Sequence, residues 1–261
     1  MRLAAVCPIV VALAWLSATP CTHAQDHARL EGVWSSTLTT PEDPRWRIED
    51  HLCGMCAASE YRHLQRLLAD PANRDLGLRE LQQEARTTGR QQIEPLITAA
   101  ARERFASMAQ SADGSATCDP PNLLVVAGAG PLPVSIELRD DHVIIHNQHW
   151  NVVRTVRLSD DAPVRAGEPS LYGNAIARFE GSTLIVESVN VLPIATTEAV
   201  TTARARVIER YTANEDGSHL DLEIAIEDPE TYREPRVWYR PRMRTADVQI
   251  VEDDPCANVE E

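Results

Sequence analysis

Residues Leu171 to Val191 read LYGNAIARFEGSTLIVESVNV, and the fold turns on how this stretch is read. Two apolar runs, Ala175 to Phe179 and Leu184 to Val191, flank Glu180-Gly181-Ser182, with glycine where a tight connection needs a left-handed residue. The pattern predicts a β-hairpin. On either side lie further short runs that alternate with period two between turn residues, and after Cys118 no such run sits next to a helical pattern. The second half of the chain is therefore expected to form one antiparallel sheet, closed on itself.

Working outward, the apolar run Leu123 to Ala127 comes first. Val134, Ile136 and Leu138 then face one way, and Asp140-Asp141 turns the chain into Val143 to Ile145. Asn151 to Leu158 precedes the hairpin; Ala205 to Tyr211 follows it. Beyond a turn at Asn214 to Gly217, Leu220, Leu222, Ile224 and Ile226 alternate with Asp221, Glu223 and Glu227, which is the pattern of a strand with one face buried. Val237 to Tyr239 and Val248 to Val251 complete the set. Roughly nine strands in meander order predict an up-and-down barrel or a strongly curled sheet.

Between Cys56 and Met108 the apolar period becomes helical. Tyr61, Leu64, Leu67 and Leu68 share a face and stop at Asp70-Pro71, and Leu76, Leu78, Leu81 and Ala85 follow as far as Gly89. A third stripe, Ile93, Leu96, Ile97, Ala100, Ala101, Phe105 and Met108, tolerates Pro95 in its first turn. These spacings predict a three-helix insert. The turn-rich Ser111 to Pro121 marks its end. The expected organisation is 1–25 as a leader, 26–50 as a first β segment, 51–113 as the helical insert and 114–261 as the barrel.

The leader reading rests on Arg2, the apolar run Leu3 to Leu16, and the small and polar residues from Ser17 to Ala24. That run is too short to span a bilayer and has the layout of a secretory signal, so an exported chain, periplasmic or secreted, is expected. The net charge is −14, and loss of the leader removes one positive charge, Arg2. Such acidity argues against nucleic acid or an anionic membrane surface as partner, because both need a basic face. After the leader no stretch is apolar and long enough for membrane insertion. Four cysteines remain, Cys53, Cys56, Cys118 and Cys256, and an oxidising compartment favours disulfides among them. The preferred pairing is Cys53 with Cys56 and Cys118 with Cys256, the second tying the start of the β region to its end.

The parity of the strands singles out charges on apolar faces. Arg154 shares its face with Val152, Val156 and Leu158; Glu187 lies with Ile185, Val189 and Val191; Glu209 lies with Ala205, Val207 and Tyr211. If those faces point inward, the barrel holds two carboxylates and a guanidinium, which must pair or meet a polar ligand. A purely structural pair, Arg154 or Arg210 with Glu187 or Glu209, accounts for the same pattern. Glu187 and Glu209 are the candidate catalytic acid and base; Arg154, Tyr211, Trp150, His146 and Tyr172 are the candidate ligand-binding residues.

No metal or cofactor site is expected. His142, His146 and His149 cannot meet on one ion from a regular strand, since a spacing of three places His149 opposite His146. His51, Cys53, Cys56 and His63 have zinc-like spacing, but export favours a disulfide there. Gly128-Ala129-Gly130 runs into Pro131 and Pro133 and cannot open a phosphate-binding helix. There is no G-x-S-x-G elbow and no H-E-x-x-H.

Leu30-Glu31-Gly32-Val33-Trp34 resembles the opening of lipocalin-type barrels, in which the tryptophan of a G-x-W plugs one barrel end. Over about Cys118 to Cys256, a second resemblance covers Gly173, Phe179-Glu180-Gly181, Thr183-Leu184-Ile185-Val186-Glu187, Glu209-Arg210-Tyr211, Asp228-Pro229, Tyr232, Pro235 and Cys256. In order and spacing these are similar to a family of exported bacterial β proteins of uncharacterised function, with the signature G-x-S-x-G-x-W-E-G-D-T-L-V-V-E-T, then E-R-Y, then D-P-x-x-Y-x-x-P, then a late cysteine. Phe179 stands here for its tryptophan and Ser182 for its aspartate. The resemblance implies architecture and no activity.

The sequence thus predicts a mainly β protein, α+β overall, built as a lipocalin-like antiparallel up-and-down barrel with a three-helix insert near the N-terminus. Its expected partner is a small, largely apolar molecule. The alternatives are an enzyme using inward carboxylates on such a molecule, as an isomerase, cyclase or hydrolase, and a structural envelope module.

Overall fold

The computed structural model describes residues 26–35, 56–57, 66–67, 70–73, 84, 87, 94–107, 120–128, 132–194, 199–246 and 248–251. Its strands are β1 (Gly32–Ser35), β2 (Cys56–Ala57), β3 (Val134–Leu138), β4 (His142–Asn147), β5 (Val152–Leu158), β6 (Asn174–Glu180), β7 (Thr183–Val189), β8 (Arg206–Ala213), β9 (His219–Glu227) and β10 (Arg236–Arg244). From β3 to β10 each strand pairs with the next in sequence. β1 joins β3 on one side and β10 on the other, through Trp34 opposite Arg244 and Ser35 opposite Met243. The result is a closed nine-strand barrel, with the short β2 added to β10 at Trp238 and Tyr239.

A ring of nine cannot be antiparallel throughout. Each antiparallel neighbour reverses direction, so an odd number of strands returns to its start pointing the wrong way unless one pair is parallel. The parallel seam is β5 against β6, where Arg157 meets Ile176 and Leu158 meets Ala177. The wholly antiparallel barrel expected from the alternation is corrected at this one place. A parallel pair cannot be joined by a tight turn and needs a crossover of a dozen or more residues, which the chain from Ser159 to Gly173 supplies. That crossover is pinned by two side-chain amides: Asn174 Nδ2 donates to the carbonyls of Val164 and Ala166 at 2.7 and 3.0 Å, and Asn190 Nδ2 to that of Ala166 at 3.1 Å.

Register sorts the side chains into two faces. The inner rows carry one large apolar cluster that includes Trp34, Val143, Ile145, Val156, Ala177, Leu184, Val186, Tyr211, Leu222, Ile224 and Trp238. Outside, Ile185, Ile208 and Ala225 form a second, smaller buried group with Val237 packed on it. Strands β7 and β8 are therefore apolar on both faces.

Each barrel end is covered. At one, Trp34 donates from Nε1 to Leu30 O at 2.9 Å, and Arg244 lies over the Trp34 ring at 4.3 Å. The Arg244 guanidinium also donates to the carbonyls of Gly217, Glu31 and Arg29, each at 2.5 Å, tying the N-terminal turn to the β8–β9 turn. His27 stacks on Phe179 at 3.6 Å and donates to Gly181 O at the tip of the β6–β7 hairpin. At the opposite end sits a short helix, α2 (Leu123–Gly128), introduced by Asn122, whose Oδ1 accepts from Leu124 N at 3.0 Å and from Val125 N at 3.3 Å. Leu123, Leu124 and Ala127 enter the inner core. The run expected to head the strands is thus a buried helix, an ambiguity that a short all-apolar segment always carries.

Of the helical insert, α1 (Ala99–Ser107) and single turns at Pro71–Asn73 and Glu94–Leu96 are described. Thr98 caps α1 and ties it to the 228–233 loop: its amide donates to Thr231 O at 2.9 Å and its hydroxyl to Glu230 O at 2.7 Å. The rest of the three-helix expectation lies outside the described residues, as do the leader, Cys53, Cys118 and Cys256, and with them the disulfide pairing. For Cys56 only the backbone, in β2, is described. Residues 248–251, expected as a last strand, are irregular.

Gly173 closes the crossover with φ +66°, and a Cβ there would meet Val189 O at 2.3 Å. Gly181 has φ +60° with open space around it. Gly181→Ala should therefore cost about 1 kcal/mol, and Gly173→Ala clearly more, about 2–4 kcal/mol, since strain and a backbone clash add. Denaturant melts of the two variants check this; equal losses would contradict it.

Candidate functional site

At the centre of the barrel three side chains from two walls meet. Arg154 projects inward from β5 between Val152 and Val156; Glu209 and Tyr211 project inward from β8. Arg154 Nη1 donates to Glu209 Oε2 at 2.7 Å and Nη2 to Oε1 at 2.8 Å, a two-pronged ion pair. Tyr211 Oη donates to Glu209 Oε1 at 2.6 Å and receives a long contact from Arg154 Nη2 at 3.5 Å. Glu209 is fully buried and Arg154 nearly so.

Burial pushes the Arg154 guanidinium down, but the charge and hydrogen bonds of Glu209 outweigh it and hold Arg154 above its ordinary value. Tyr211 moves the same way for another reason, because burial and the neighbouring carboxylate both oppose a phenolate. It stays neutral and donates. Tyr172, at the end of the crossover, is half-buried; burial raises its phenol, and the nearby charge of Arg154 partly counters that rise. Tyr172 thus borders the same group.

Several donors and acceptors on the inner rows have no hydrogen-bond partner among the described residues, among them Arg154 Nε, Asn147 Nδ2, Ser188 Oγ, Arg236 Nε and Trp238 Nε1. An unmet buried polar atom costs about 1–3 kcal/mol, so a group of them on one interior marks a place where something polar belongs.

Glu187 is elsewhere. Its neighbours across the sheet are Ile176 and Ile208, which place it on the outer face. There it accepts from Arg206 Nε and Nη2 at 2.7 and 2.6 Å, with Arg178 Nη1 at 3.5 Å, while Arg206 also donates to Glu227 at 2.8 Å. The expected inward position of Glu187 is corrected, and the cause is visible in β7: Ile185 and Val189 are buried against the outside of the sheet, so apolar parity does not tell its faces apart. Asn190, at φ +62°, then breaks the alternation, so that Val191 returns to the inner core although Val189 is outside. His146 also points outward, opposite Ser135 and Val153, and shares a 2.7 Å hydrogen bond with Asn151. Trp150 sits in the β4–β5 connection at φ 58°, beyond the strands. Arg210, the other cation considered for a structural pair, meets Glu223 outside at 3.2 Å. Among the described strands, Glu209 is the only acidic residue on an inner row.

The inner row of β10 was not anticipated. Arg236, Trp238, Arg240 and Arg242 stand opposite Ile226, Ile224, Leu222 and Leu220, all inner residues of β9. The signal was present as RVWYRPRMR, with arginine or tryptophan at every second position. Rules that send arginine outward and Val237, Tyr239 and Met243 inward invert it. No protein-family model matches the chain, and no curated protein is similar to it in sequence.

Removing one partner of the central pair strands the other charge. Glu209→Gln should cost about 3–5 kcal/mol, lowering Tm by roughly 6–20 °C for a domain of this size, whereas Arg154→Met/Glu209→Leu/Tyr211→Phe should recover most of the loss. Thermal melts of both would show it, and a mild single variant would contradict the pairing. Outside, Arg206 holds the Glu187 carboxyl below its ordinary 4.5. A depressed carboxyl stabilises the fold above the unfolded-state pKa and loses that contribution as pH falls through the folded one. Glu187→Gln should therefore be destabilising at pH 7, and the gap to the parent protein should close as the pH drops below about 4.5 in urea melts.

Proposed function

We propose that the chain is an exported, lipocalin-like barrel that binds a small, largely apolar molecule in its interior and orients it with Arg154, Glu209 and Tyr211, Tyr172 standing at the edge. The observation that carries this reading is the buried Arg154–Glu209–Tyr211 group in an aliphatic interior, with Arg154 Nε, and Asn147 Nδ2 and Ser188 Oγ on other inner rows, left without partners among the described residues. A buried ion pair is a poor source of stability, because apolar residues of the same volume serve as well or better. Its place at the centre is better explained by recognition, where an apolar enclosure with a few convergent polar groups is the usual form of a small-molecule site.

Two further features support the reading. The Gly32-x-Trp34 opening has its tryptophan sealing one barrel end under Arg244, as a lipocalin-like plug would. Export rests on the leader pattern of Arg2 and Leu3 to Leu16. The enzymatic alternative has lost one of its two carboxylates, since Glu187 lies outside and is committed to Arg206.

Native mass spectrometry of protein taken from its own host is expected to show a small molecule travelling with the chain. Added back to stripped protein at about 100 times its Kd, that molecule should raise stability by about 2.7 kcal/mol. The Arg154→Met/Glu209→Leu/Tyr211→Phe variant should fold and bind it at least about tenfold more weakly, since each lost tenfold is about 1.4 kcal/mol. A bare mass together with unchanged melting across apolar metabolites would remove the proposal.

A further inference from the structure

The inner row of β10 holds a cation that the central pair does not use. Arg236 is 8 % exposed, and its partners among the described residues are neutral: its Nη1 donates to Tyr232 Oη at 3.4 Å, and its guanidinium lies 5.1 Å from the centre of the Trp238 ring and 5.9 Å from that of Tyr232. Among the described residues it makes no ion pair. Glu209, the acidic residue of the inner rows, is committed to Arg154 and Tyr211. Asp228, just past the end of β9, accepts from Thr202 N and Oγ1 at 2.7 and 3.1 Å, from Thr231 Oγ1 at 2.9 Å and from Glu230 N at 3.2 Å. Glu227 is on the outer face with Arg206. Aromatic faces offset part of the desolvation of a guanidinium but do not neutralise it.

Donors without acceptors surround this cation. Arg236 Nε and Trp238 Nε1 are both buried and unmatched. Tyr232 Oη already accepts from Val200 N at 3.1 Å and from Arg236, so its own proton is available to donate. Ser188 Oγ lies on the same cross-strand row, which runs Ser188, Val207, Ile226, Arg236. One step along, Trp238 shares its row with Ile224 and Glu209, which puts the strands of Trp238 and Glu209 roughly 10 Å apart. A guanidinium with its Nε unmatched, an unmatched indole N–H beside it and a phenol O–H offer donors to an anionic oxygen group.

We propose that Arg236, Trp238 and Tyr232 bind the anionic head, a carboxylate or a phosphate monoester, of the molecule whose apolar body the barrel takes. The inference rests on the proposed function and narrows it: the ligand is an amphiphilic anion, not a neutral hydrocarbon-like molecule.

The test titrates the full chain at pH 7.5 with decanol, decanoate and decyl phosphate, which share a tail and differ in the head. The parent protein should bind at least one of the two anions ten times or more tighter than decanol, and the preferred anion identifies the head. Arg236→Met should bring the anions within about twofold of decanol while leaving the ligand-free Tm unchanged or higher, because an uncompensated buried cation has been removed. Trp238→Phe, which keeps a ring but not the N–H, should weaken the anion several-fold and leave decanol unaffected. Equal binding of all three probes by the parent would overturn the anion site and leave the proposed function standing. So would an Arg236→Met variant that keeps the preference but melts lower, the mark of a structural arginine. Binding of none of the three would bring down the proposed function and this inference with it.

Discussion

Closure of the ring is the constraint on which the rest of the structure depends. It is made by very few residues: Trp34 and Ser35 of a four-residue strand meet Arg244 and Met243 at the end of the last one. Because the backbone pairing is so short there, side chains hold the junction. Arg244 covers the Trp34 ring and draws three carbonyls from two different turns onto one guanidinium. Burial lowers the Arg244 pKa from its ordinary value, with no carboxylate among the described residues to counter it. Stacking and carbonyl acceptors together take the place of a counter-ion.

The odd strand count carries the consequences inward. A ring of nine needs a parallel seam, the seam needs a crossover, and the crossover ends at Gly173 with Tyr172 beside it. Tyr172 is thereby brought within the electrostatic reach of Arg154, although the two residues belong to different elements. The left-handed Gly173, packed on the carbonyl of Val189, and the left-handed Asn190, whose amide holds the crossover loop, are two halves of the same local solution. Topology has set the position of residues that touch no part of the seam itself.

Closure also divides the charges into two populations with different physics. Outside, Arg178, Glu187, Arg206 and Glu227 form a chain of alternating sign on the face that also carries the apolar group of Ile185, Ile208 and Ala225. Inside, Arg154 is paired with Glu209, and Arg236 lies among the rings of Tyr232 and Trp238. Net charge describes how the molecule meets other macromolecules; the interior potential decides what can be held within.

The sequence by itself located β1 and β3 to β10 and most of the turns, but not β2 inside the span expected to be helical, and its last expected strand at 248–251 is irregular. Glu180-Gly181-Ser182, Asp140-Asp141 and Asn214 to Gly217 lie at the reversals they predict, because glycine and acidic turn residues act locally. It also put Arg154 and Glu209 on inner faces correctly, since β5 and β8 pair each charge with aliphatic residues at the same parity. Parity failed where burial is two-sided, at Glu187, and where the inner face is itself charged, along β10, because alternation reports a difference between faces and says nothing about which face is inside. Only the tertiary structure decided that Arg154 reaches Glu209 across the barrel, that Leu123 to Ala127 turns into a plugging helix, and that Arg236 is enclosed by rings without a carboxylate. Those outcomes depend on groups far apart in the chain being brought to one place, and no local preference encodes that distance.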